Sequence, residues 1–111
     1  MEMIVEDAGN GVSVAVLTGR LDVAGAGQID LKFNATAGAR RALIVDLSGV
    51  SFIASMGIRL LLLGARAVVS KGGKMALLGP SPDVASVLYT ARIDGIVAIC
   101  VSREDAIAAV T

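Results

Sequence analysis

"LIVDLSGVSFIASMGIRLLL", residues 43–62, changes character halfway along. With Ala42 in front, "ALIVDLS" is a continuous aliphatic run, as expected for a strand covered on both faces. From about Ser55 to Ser70 the spacing changes: Ile58, Leu61, Leu62, Ala65 and Val68 recur at the interval of an inward helix face. "KGGK" (71–74) then ends the helix, with Gly72 as its C-terminal cap. A buried strand running into a long helix is the repeating unit of α/β folds.

Both flanks extend that unit. Upstream, "MIVED" and "VSVAVLTG" surround "AGNG", and Asn10-Gly11 is a strong hairpin turn. "DVAGAGQIDLKFNATAGAR" (22–40) sets Ala26, Ile29, Phe33 and Ala37 at helical spacing. Its glycines make it a poor helix by propensity, so packing must hold it. Downstream, "MALLG" (75–79) reads as a buried strand, broken by Pro80 and Pro82. Val84, Val87, Leu88 and Ala91 then mark a short helix that Gly95 terminates. "IVAICV" (96–101) is the last strand, and "SREDAIAAV" (102–110) is a helix capped by Ser102 ahead of an acidic first turn. The order β-β-α-β-α-β-α-β-α predicts an α/β fold: a mixed, mostly parallel sheet of four or five strands with an N-terminal antiparallel hairpin and about four flanking helices. We expect one domain over residues 1–111.

Composition narrows the function. The chain is 55% hydrophobic and 3% aromatic, so Val, Ile, Leu and Ala must build the core. Ten basic residues balance ten acidic ones, which gives no electrostatic case for nucleic acid or an anionic membrane. A mean hydropathy of +0.77 raises the question of membrane insertion. The longest stretches without a charge (8–19 and 47–58) span twelve residues, well short of the ~20 that a membrane helix needs. The acidic start "MEMIVEDAG" does not read as a signal peptide, and the lone Cys100 fits a reducing compartment. We expect a cytoplasmic protein.

With no histidine and one cysteine, the chain cannot build the usual zinc sites or a Ser-His-Asp triad. "GVSFIAS" is not a nucleophile elbow, and no phosphate-binding or dinucleotide glycine motif is complete. Asp22 and Asp46 each follow a strand in this reading; two such acids can support proton transfer or Mg²⁺ binding. Their more ordinary roles are helix capping and turn acceptance. We expect no enzyme, metal or cofactor.

Ser55 stands at the change from strand to helix. It reads as a helix N-cap, although Ile58 occupies the position where a capping box would put Glu or Gln. A phosphate there would meet the positive end of the helix dipole and add about −1.5 to −2 charge to a nearly uncharged surface. Met56, Arg59, Leu63, Arg66 and Ser70 share the outer face of the same helix. Two apolar side chains among arginines make a candidate binding stripe, and isolated exposed Met and Leu are also ordinary on a protein surface.

The segments "GRLDVAGA" (19–26), "LIVDLSGVSFIASMGIRLLL" (43–62), "KGGKMALLG" (71–79) and "LYTARIDGIVAI" (88–99) follow one another as in the STAS domain family. The sequence most resembles the bacterial anti-sigma factor antagonists of that family. The resemblance implies a STAS-type fold and a binding module that is a kinase substrate. Its unphosphorylated form would bind an anti-sigma factor, a serine kinase of the GHKL ATPase type, and so free a sigma factor. Phosphorylation of the motif serine, here Ser55, would dissociate the complex, and a serine phosphatase would reset it. Asp22 matches the aspartate of the loop beside that serine, and Gly57 the glycine that lets the helix start pack closely. The chain departs from the best-known form at Ala54, where that form has aspartate, and at Met56, where it has a small residue. With these, Arg59, Leu63 and Arg66 complete the expected partner surface. The alternatives are a constitutive adaptor of a transporter ATPase or signalling assembly, and a small-ligand or nucleotide-binding domain using Asp22, Ser55 and the helix N-terminus.

Overall fold

The computed structural model describes every residue, 1–111. Two strands set its frame. β2 (Val12–Leu21) and β3 (Ala42–Ile53) run parallel, from Val12 opposite Ala42 to Leu21 opposite Ile53. β1 (Glu2–Gly9) pairs antiparallel with β2 through the Asn10-Gly11 turn, where both residues have positive φ (54° and 78°). That is the backbone a tight primed hairpin turn requires. β4 (Lys74–Leu78) and β5 (Ala98–Cys100) continue the parallel pairing, giving the order β1-β2-β3-β4-β5. The helices are α1 (Val23–Ala39), α2 (Ser55–Val69), α3 (Pro82–Thr90) and α4 (Arg103–Val110). The fold is therefore the α/β arrangement expected, with five strands and four helices.

The sheet has a core on each face, which is why its strands carry unbroken aliphatic runs. On one side Leu17, Leu43, Val45 and Leu77 pack with Phe33 of α1, Leu61 of α2 and Leu88 of α3. On the other, Val12, Val14, Ile44 and Ala76 meet Ala106 and Val110 of α4. The predicted core positions of α1 (Ala26, Ile29, Phe33 and Ala37) are all buried. Ser102 caps α4 as expected, accepting from the Asp105 amide at 3.1 Å.

Several details differ from the sequence reading, each for a local reason. The inward face of α2 is Gly57, Leu60, Leu61, Gly64, Ala65 and Val68, whereas Ile58 and Leu62 are half-buried. Two of those inward positions are glycines because neighbours approach too closely for a side chain. A Cβ on Gly64 would collide with the Phe33 ring of α1. Reading only the large apolar residues therefore rotates the stripe away from its true centre. β3 also runs on past "ALIVDLS" to Ile53, because Val50 and Ile53 still reach the core. α3 ends at Thr90, leaving Val87 and Ala91 exposed, and Gly95 closes a separate 3₁₀ turn, Ile93–Gly95. β5 begins only at Ala98 because the amides of Ile96 and Val97 both donate to the Ile93 carbonyl of the 3₁₀ turn, and it ends at Cys100 opposite Leu78, the last residue of β4. Ile96 and Val101, expected inside that strand, are 62% and 92% exposed.

Candidate functional site

The parallel pairing of β2 and β3 brings their C-terminal tips together. Leu21 lies opposite Ile53, and the Ala54 amide donates to the Leu21 carbonyl at 3.0 Å. Asp22 and Ser55 follow that pair, so α1 and α2 both begin at one edge of the sheet. Ligand and partner surfaces in parallel α/β sheets commonly form at such carboxyl ends of strands.

The two helix starts are finished differently. Asp22 is the N-cap of α1, its Oδ1 accepting from the Gly25 amide at 2.8 Å while Oδ2 faces Arg20 Nε at 3.4 Å. The Gly25 N–H, outweighing partial desolvation and helped by the Arg20 guanidinium, holds the Asp22 carboxyl below its ordinary value. Arg20 in turn lies over the Phe52 ring, 4.3 Å from its centroid, across the strand pair. At α2 the N-cap position belongs to Ala54, which has no side-chain cap bond. Ser55 is the first helical residue, so its expected role as N-cap is not the one it has. The geometric reason is the Ala54–Leu21 bond, which keeps Ala54 extended (φ −118°, ψ 177°) and starts the helix one residue later. The first amide satisfied by the new helix is that of Ile58, donating to the Ala54 carbonyl at 3.1 Å. The amides of Ser55, Met56 and Gly57 therefore lack intrahelical acceptors. The site presents an exposed hydroxyl at an uncapped, positive helix end.

Gly57 fixes how that end sits. A Cβ there would lie 2.6 Å from both Leu21 Cγ and the Leu21 carbonyl oxygen, and 3.1 Å from Ile53 Cγ1. Only glycine lets the first turn of α2 rest on the strand tips, which agrees with the role expected of it. Beyond it, Met56 (44%), Arg59, Leu63 (41%) and Arg66 are all exposed, so the outer stripe forms as its spacing predicts.

Asp46 does not join this cluster. It lies inside β3 opposite Val16, about five residues or ~17 Å down the sheet from Leu21. Its Oδ1 accepts from the Ser48 amide at 2.9 Å and hydroxyl at 2.7 Å, the turn role described above. No group of three or more His, Cys, Asp or Glu side chains is placed to share a metal ion. No helix is long and apolar enough to cross a membrane.

Sequence reasoning missed the α1 wall of the surface. Val23, Ala26, Gly27, Asp30 and Asn34 line a groove whose other wall is Met56, Arg59, Leu60 and Leu63 of α2. The signal was present: Val23, Gly27, Asp30 and Asn34 fall at i, i+4, i+7 and i+11, one helical face beside the core stripe. Phe52 and Ile96 were also missed: Phe52 lies beyond the "ALIVDLS" strand and Ile96 inside the expected last strand, and both are exposed (40% and 62%).

The STAS domain family profile matches residues 5–106. No curated protein matches the chain. Among solved structures, the unphosphorylated anti-sigma factor antagonist SpoIIAA is 27% identical, with 96% of this chain and 93% of that one covered at a TM-score of 0.79. The phosphorylated form of Bacillus SpoIIAA is matched over 96% and 97% of the two chains, at 27% identity and a TM-score of 0.72. An anti-sigma factor antagonist from Mycobacterium paratuberculosis is 28% identical, over 98% of this chain and 92% of that one, with a TM-score of 0.81. The match spans the second half of the antiparallel hairpin strand β1, both strand tips and the α2 start that carries Ser55, and so the chain belongs to the STAS domain family.

Proposed function

We propose that the chain, acting as a single domain over residues 1–111, is an anti-sigma factor antagonist switched by phosphorylation of Ser55. One observation carries the reading: an exposed serine at the first position of an uncapped helix, beside an apolar and arginine-bearing face. In its unphosphorylated form the protein binds a cytoplasmic anti-sigma factor, itself a GHKL-type serine kinase, and a sigma factor is released. Met56, Arg59, Leu63 and Arg66 form the docking face, with Ala54 and Gly57 shaping the turn that presents Ser55. Asp22 supports the adjoining tip by capping α1 and holding Arg20.

The chemistry of the switch follows from charge. A phosphate on Ser55 adds about −1.5 to −2 units to α2, whose own ionic groups are Arg59 and Arg66. Unsatisfied amides at the helix start favour that phosphate locally. Arg59, four residues on, is within reach of it across one helical turn. The partner then meets an anion where it met a neutral hydroxyl. Because Ala54 supplies no carboxylate next to Ser55, orienting the hydroxyl falls to the kinase. A serine phosphatase restores the binding form.

The test is to incubate the protein with its cognate kinase and ATP and to map the phosphate by mass spectrometry. Phosphate on Ser55, absent from Ser55→Ala, is the expected result. If Ser55→Ala is phosphorylated as well as the native protein, the switch is wrongly assigned. Stable partner binding with no phosphate transfer points instead to a constitutive adaptor.

A further inference from the structure

Residues 47–82 carry four basic side chains, Arg59, Arg66, Lys71 and Lys74, and no carboxylate. Arg59 and Arg66 stand seven residues apart on the exposed face of α2, about 10 Å along its axis. Together with Leu62, Leu63 and Ile96 they line one concave surface between α2 and the segment after the 3₁₀ turn. Ile96 is 62% exposed and Leu63 41%. Neither arginine is ion-paired, since the chain's one ion pair joins Arg20 to Asp22. Asp30 on α1 and Asp94 in the 3₁₀ turn are the nearby acids in sequence and fold, and neither is paired with them.

We propose that this cleft takes an amphipathic helix of a partner protein, which sets aliphatic side chains on Leu62, Leu63 and Ile96 and carboxylates at i and i+7 on Arg59 and Arg66. The inference rests on the reading of α2 as the docking face; it adds the partner's chemistry and extends the contact from the Ser55 end towards Ile96. The match is geometric, because two helices of equal rise laid side by side repeat their two-turn spacing in register. Other occupants fit less well. Phosphate backbones and anionic bilayers are held by larger basic clusters, whereas here two arginines flank an apolar floor. A symmetric contact that laid α2 on α2 of a second copy would bring arginines together with no acid on either helix to answer them.

The position of Ser55 gives the cleft a regulatory consequence. Its phosphate reaches Arg59 at i+4 but not Arg66, eleven residues or roughly 16 Å along the helix. Phosphorylation therefore withdraws one of the two guanidinium contacts and leaves the apolar floor intact.

The test uses two synthetic helical peptides of about 20 residues. Both carry one leucine face; one has Glu at i and i+7 and the other Lys. Phosphatidylglycerol vesicles and self-association are measured alongside, and binding is read from amide shifts in NMR spectra of the isotopically labelled protein. The Glu peptide is expected to shift Leu63, Arg66 and Ile96, and the Lys peptide is not. Arg59→Gln and Arg66→Gln should each weaken the Glu peptide by roughly two- to fivefold, with spectra that otherwise overlay those of the native protein. Equal binding of both peptides, an unaltered affinity in the double variant, or binding only to vesicles or to a second copy would overturn the proposal. These outcomes are independent of the switch: Ser55 phosphorylation without Glu-peptide binding removes this inference alone, and the reverse removes the switch alone.

Discussion

Gly57→Ala probes the approach of α2 to the strand tips. The added Cβ would lie 2.6 Å from Leu21 Cγ and from the Leu21 carbonyl oxygen. Carbon contacts relax to about 3.5–4 Å, so each overlap is on the order of 1 Å. The oxygen cannot retreat freely, because it accepts the 3.0 Å bond from the Ala54 amide that joins the two tips. Overpacking of this kind costs about 1–3 kcal/mol. The gain in helix propensity from Gly to Ala, about 0.8–1 kcal/mol at an interior position, offsets part of it. A net loss of up to about 2 kcal/mol is expected, on the order of 4 °C in melting temperature per kcal/mol. Urea unfolding followed by circular dichroism measures it. Gly27→Ala is the internal control, since nothing lies within 4 Å of a Cβ there. The same substitution in α1 should stabilise the protein by up to about 1 kcal/mol. If Gly57→Ala gains stability as Gly27→Ala does, the close approach is wrong.

Two further substitutions examine the helix starts. Ser55→Ala should change stability by no more than about 0.5 kcal/mol, because Ser55 is exposed and makes no cap; a loss near 1 kcal/mol in urea unfolding would return it to the capping role. Asp22→Asn keeps an N-cap acceptor but removes the charge. The Asp22 carboxyl is held below its ordinary value of 3.8 in the folded protein, so its charge favours the fold above that pH and ceases to do so as pH falls through the lowered value. The native protein should therefore be the more stable of the two at neutral pH, and the difference should vanish on acidification. A difference that does not change with pH contradicts the assignment.

The sheet and its helices were legible because both faces are covered, so aliphatic runs, turn glycines and helix periodicity all pointed the same way. Asn10-Gly11, Ser102 and the Phe33 stripe each act locally and needed no tertiary knowledge. What escaped was set by contacts between distant segments. The glycines of α2 face inward because Phe33 and Leu21 come close, which no spacing rule for large residues can register. Ala54 displaces Ser55 from the cap because the Leu21 carbonyl, 33 positions earlier in the chain, captures its amide. Ile96 looked like core because it adjoins an apolar run, yet its amide donates to the Ile93 carbonyl and the residue closes the 3₁₀ turn outside the strand. The placement of Ser55 at the helix start, the close packing of Gly57 and the exposure of the α2 stripe were legible in the sequence. The α1 wall was not, because its small and polar residues become a surface only when α2 lies beside them.

The central claim is that Ser55 governs partner release, and one titration addresses it. Native protein and protein stoichiometrically phosphorylated on Ser55 are added to the cognate anti-sigma factor in complex with a fluorescently labelled sigma factor, and sigma release is followed by anisotropy. The native form should displace sigma, and the phosphorylated form should not do so at the same concentrations. Equal displacement by the two forms would contradict the account.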